Sequence, residues 1–67
     1  MIHVRLNGDT KPLARSSTVH EMVAELDLPA PLILIEHNGI ALRRREWTST
    51  PVADGDRIEI LRVAAGG

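Results

Sequence analysis

Apolar and polar residues alternate over the first stretch of the chain. Ile2, Val4 and Leu6 are separated by His3 and Arg5. A period of two predicts a strand with one buried and one wet face. Asn7-Gly8-Asp9 signals a turn, and the run from Thr10 to Ala14 carries Pro12, which favours an edge strand. Residues Ile2 to Ala14 are therefore expected to form a β-hairpin. The period then changes. Val19, Met22, Val23 and Leu26 fall at i, i+3, i+4 and i+7, the stripe of an amphipathic helix. Ser16-Ser17-Thr18 opens it, with Thr18 and Glu21 spaced for a capping box. Pro29 and Pro31 stop it near Asp27 or Leu28. About three turns of helix bury too little to be stable without a sheet beneath them.

The next run, Leu32 to His37, is apolar at both parities, with Ile33 and Ile35 on one face and Leu32 and Leu34 on the other. That is the pattern of an interior strand. Asn38-Gly39 predicts a type I′ turn, whose central positions both need positive φ. Ile40 to Leu42 returns as a short strand. Arg43 to Thr50 is polar apart from Trp47 and reads as a loop with a helical turn. Asp54-Gly55 turns into a last strand, Arg57 to Val63, with Ile58 and Ile60 on one face and Leu61 and Val63 on the other. The expected order is β-β-α-β-β-β, with the first and last strands side by side and parallel. One main helix packed across one mixed sheet is a two-layer α+β architecture.

Composition narrows the function. A chain of 67 residues is expected to form a single domain, 1–67. Its core must use nearly all of its aliphatic residues, so a deep substrate cavity and a self-contained enzyme are not expected. The net charge of −1 and the absence of Phe and Tyr argue against nucleic-acid binding. With no cysteine the chain is neither a disulfide scaffold nor a thiol redox protein. No apolar run approaches the length of a membrane span, and no secretion signal is visible, so a cytoplasmic location is expected.

The side chains offer little chemistry. His3, His20 and His37 have no metal-motif spacing and read as solvent-facing positions. The serines sit in caps and loops, the glycines are isolated in turns, and Glu36 reads as surface. Trp47, the only aromatic, reads as a core plug. The C-terminus is different. After Val63 the chain continues as Ala64-Ala65-Gly66-Gly67, without a polar side chain. Such a tail is expected to be flexible, and two residues without Cβ can enter a channel too narrow for others. Its carboxylate becomes an electrophile once ATP converts it to an acyl-adenylate. A sulfur or nitrogen nucleophile can then displace AMP.

The segments Ile2 to Gly8, Thr18-Val19-His20-Glu21-Met22, Ile33 to Gly39, Arg44-Arg45-Glu46-Trp47, Asp54-Gly55-Asp56 and Ala64-Ala65-Gly66-Gly67 together resemble the ThiS-type sulfur carriers of thiamin biosynthesis. These carriers have a ubiquitin-like β-grasp fold. The resemblance covers essentially the whole chain; one departure is Arg43, where the family often has proline. It implies a carrier rather than an enzyme. An adenylating enzyme of the ThiF type, related to ubiquitin-activating enzymes, uses ATP to activate the Gly67 carboxylate. A cysteine desulfurase or rhodanese-type donor supplies sulfur to form a thiocarboxylate, which passes the sulfur to thiazole synthase. The alternatives are the small subunit of molybdopterin synthase, a carrier for another product such as cysteine, and a ubiquitin-like protein modifier. For docking, Leu61 and Val63 should lie on the outer face of the sheet, with Leu32 or Leu34 beside them. Arg62 with Arg43, Arg44 and Arg45 is expected to form a rim that steers acidic partners, although the triple arginine reads equally well as a solvated loop.

Overall fold

In the computed structural model, residues 1–63 are described. The reading of 64–67 as a flexible tail lies outside them. The first alternating run forms β1 (Ile2–Leu6) and turns at Asn7-Gly8, both at positive φ, into β2 (Asp9–Leu13). Helix α1 spans Val19–Glu25, and β3 (Ile33–His37) is followed by β4 (Ile40–Leu42) and β5 (Arg57–Arg62). Short 3-10 turns cover Ala30–Leu32 and Arg44–Ser49. The strand order is β2-β1-β5-β3-β4, with β1 and β5 parallel and the other pairs antiparallel. The expected architecture is thus observed, with Pro12 on an edge strand.

Each helix end has a defined chemical cause. The Thr18 hydroxyl accepts from the Glu21 N–H at 3.2 Å, and Glu21 Oε1 accepts from the Thr18 and Ser17 N–H groups. The helix ends sooner than the prolines alone suggest. Asp27 adopts φ 53°, its N–H donates to the Ala24 carbonyl, and the Leu28 N–H donates to that of Val23. This is a Schellman closure with an aspartate in the left-handed position that glycine usually takes. At the start of the helix, the Val19 N–H donates to Thr50 O and the Val52 N–H to Ser17 O, which ties the helix to the segment before β5.

The core lies between α1 and the inner face of the sheet. Val4, Ile33, Ile35 and Ile58 come from the strands, Val19, Met22 and Val23 from the helix, and Trp47 closes one end. Ile2, Leu6, Leu26 and Ile60 pack partly buried against them. Leu13 and Val52 are also buried, and the sequence pattern does not single them out. Leu13 ends a polar edge strand, and Val52 sits in a loop with no period.

Glu25 anchors the approach to the helix. Its carboxylate accepts from the N–H groups of Ala14, Arg15 and Ser16 and from the Ser16 hydroxyl, at 2.6 to 3.2 Å. The Ser16 hydroxyl and these backbone groups lower its pKa from 4.5 to about 2. A carboxylate held below its unfolded value contributes stability above that value, and loses it as pH falls through the folded one. Melting temperature is therefore expected to fall between pH 4.5 and about 2. Glu25→Gln should melt lower at neutral pH and show a flatter acid limb. A variant with the parent's acid limb would show that this carboxylate has no such role.

Candidate functional site

Strand β5 is the last described element before Gly66 and Gly67, and it runs through the middle of the sheet. On one side β3 pairs with it from Ile33↔Arg62 to His37↔Ile58. On the other, β1 pairs through Arg5↔Arg57 and Leu6↔Ile58 and then turns away. Asn7 takes over there. Its side-chain oxygen accepts from the Ile60 N–H at 2.7 Å, and its amide nitrogen donates to the Ile60 carbonyl at 3.2 Å. A turn residue thus acts as one more step of the β1 ladder. The final described tie is the Val63 N–H to the Leu32 carbonyl, at 2.7 Å.

The outer face is set by parity, because successive side chains point to opposite sides of a strand. Leu34 and Leu61 are direct cross-strand partners, 54% and 55% exposed, and Val63 follows at 41%. The structure therefore brings together Leu34, Leu61 and Val63. Leu32 is half-buried in the 3-10 turn. Arg62 does not join this face: it is the register partner of the buried Ile33, so it has the parity of the helix side. Of the expected arginine rim, Arg44 turns to Trp47 instead. The Arg44 guanidinium lies over the Trp47 ring, 4.8 Å from its centre, where a small depression of about 190 Å³ is bounded by α1 and Trp47. A wider one of about 470 Å³ lies beside Glu21 and Glu25, whose carboxylates are already occupied in capping.

His37 corrects a sequence reading. It is not solvent-facing: its Nε2 lies 2.8 Å from Asp56 Oδ2, with both side chains largely covered. Asp56 also accepts from the Ala53 N–H and the Asn38 amide, and Asn38 Oδ1 accepts from the Arg57 N–H. Burial opposes ionisation of Asp56, but these hydrogen bonds outweigh it and hold its pKa below the usual range. The cluster fastens the β3–β4 turn to the entry of β5, at the far end of that strand from Val63. The sequence signal was Asp-Gly-Asp facing His-Asn-Gly, and it becomes legible only once the two strands are paired. Among the described residues no three His, Asp or Glu come together as metal ligands, and no helix is long and apolar enough to cross a membrane.

The ThiS family model matches residues 4–67. The chain belongs to the ThiS family. Over 66 residues it is 30% identical to the sulfur carrier protein ThiS of Escherichia coli (strain K12), covering 98% of this chain and 100% of that one. The crystal structure of the thiamine biosynthesis protein ThiS from Geobacter metallireducens superposes with a TM-score of 0.85 at 32% identity, covering 98% and 100% of the two chains. A thiazole synthase of Paramagnetospirillum magneticum is 27% identical over 62 residues, which span 92% of this chain and 19% of that protein. The ThiS match and the superposed structure identify the sheet-and-helix arrangement as the β-grasp fold expected from the sequence.

Proposed function

We propose that this protein is a sulfur carrier whose reactive group is the carboxylate of Gly67. The observation that carries the reading is the ThiS family match, which runs through Gly66 and Gly67. An adenylating partner of the ThiF type joins the carboxylate to the α-phosphate of ATP and releases pyrophosphate. The terminal sulfur of a persulfide on a cysteine desulfurase or rhodanese-type donor attacks the acyl-adenylate, and AMP leaves. A thiol then attacks the donor's sulfur in the acyl disulfide so formed, breaking the S–S bond, becoming disulfide-bonded to the donor and releasing the thiocarboxylate. The resulting thiocarboxylate delivers sulfur to thiazole synthase. A thiazole synthase with a stretch similar to this chain supports that acceptor. In this reading the protein is a substrate of its partners, acts in the cytoplasm, and binds no cofactor of its own. The Leu34–Leu61 pair and Val63 hold it to those partners, because exposed apolar clusters mark interaction sites.

Intact mass spectrometry tests the proposal. Incubated with the adenylating enzyme, ATP and a sulfur donor from the same organism, the chain should exchange one oxygen for sulfur, located at Gly67 by fragmentation. An unchanged mass, or isopeptide-linked conjugates on lysines instead, would count against sulfur carriage.

A further inference from the structure

The outer face of the sheet carries charge in an order that the fold alone does not favour. One pair beyond Leu34 and Leu61, the register sets Glu36 opposite Glu59. Like charges directly opposite on antiparallel strands repel. Among the described residues, the only ionic pair within 4.0 Å is His37–Asp56, so neither glutamate has a cation closed upon it. The next row is Arg5 opposite Arg57, on the same face. Away from Val63, the face thus runs apolar, acidic, basic.

We propose that Glu36 and Glu59 are a recognition site for a partner protein that inserts a basic side chain between them, beside an apolar ridge that covers Leu34 and Leu61. The inference rests on the carrier reading, since a partner must hold the domain while its tail reacts. An arginine suits the gap, because its planar fork of donors can serve two carboxylates at once. A metal ion does not: among the described residues no third His, Asp or Glu joins the pair. A second copy of this chain fits poorly. In a two-fold contact each patch meets its symmetry mate. Setting Glu36 and Glu59 on the other copy's Arg5 and Arg57 lays the leucines over the row of His3. Setting leucines on leucines leaves the glutamates unpaired. A partner of different sequence can match both rows.

The test is ATP–pyrophosphate exchange by the adenylating enzyme of the same organism, with the full chain as the varied substrate. Glu36→Lys/Glu59→Lys should raise the KM for the chain about tenfold or more, with kcat little changed. Glu36→Gln/Glu59→Gln should raise it about threefold and flatten the salt dependence of kcat/KM. Because the pair repels itself, the glutamine variant should melt at or above the parent's temperature, an effect opposite to that of losing a structural contact. This shape-preserving variant keeps the test valid if the lysine variant folds poorly. Unchanged KM and salt slope would overturn this proposal and leave the carrier reading standing. Absence of exchange with the parent chain would overturn both. Salt-sensitive dimerisation of the parent, lost in the glutamine variant, would assign the pair to self-association instead.

Discussion

A chain lengthened by one leucine after Gly67 is expected to fold like the parent and to accept no sulfur. Among the described residues the buried ones run from Val4 to Ile58 and the last backbone tie is made by Val63, so the described core and ladder are expected to form with or without the addition. Its effect falls on the chemistry. One residue moves the carboxylate by about 3.5 Å and places a branched side chain where glycine has only a hydrogen. In the proposed reaction the carboxylate must reach the α-phosphate in line, and a displacement of that size removes the productive geometry. Loss of the sulfur-containing mass species should be complete, with circular dichroism and melting temperature unchanged. A lengthened chain that gains sulfur without being trimmed would show that the reactive group lies elsewhere.

The second large effect is on stability. Trp47 is 2% exposed and closes the end of the core. Replacing a buried aromatic residue with alanine typically costs about 3–5 kcal/mol. At roughly 0.05–0.15 kcal/mol per residue, a domain of this length holds roughly 3–10 kcal/mol in all. Trp47→Ala should therefore leave the chain largely or substantially unfolded at 37 °C, as read by far-ultraviolet circular dichroism. Trp47→Phe is the informative companion. The indole Nε1–H is buried with no hydrogen-bond partner among the described residues, a state that opposes folding. Phenylalanine keeps most of the ring contact and removes that donor, so its loss should be clearly smaller than that of alanine. Equal losses in both variants would mean that the nitrogen is satisfied in solution.

The parts of this fold that are legible in the sequence are those encoded by period and by turn chemistry. Ile2, Val4 and Leu6 announce a strand because nothing else explains their alternation, and Asn38-Gly39 announces a hairpin because few other pairs tolerate φ of 50° and 86°. Thr18 and Glu21 mark the helix start for the same kind of local reason. What stays hidden depends on register. Glu36 and Glu59 are 23 positions apart, and only the pairing of β3 with β5 makes them neighbours. The same pairing moves Arg62 to the helix side and converts His37 from a surface residue into the partner of Asp56. The service that Asn7 gives to Ile60 is invisible for a related reason: a turn signal does not say what its side chain will reach.

Strand β5 is the last of the described strands to be made and the central one of the sheet. While a ribosome is still adding residues before Arg57, β1 and β3 have no common neighbour, and Ile58 is missing from between them. Long-range pairing of this kind waits until both segments are present. A prematurely released polypeptide therefore lacks the middle of its sheet and is exposed to proteases. The middle of the sheet is thus completed only shortly before Gly67, the residue on which the proposed reaction depends, so half-made copies offer no assembled domain to the proposed partners.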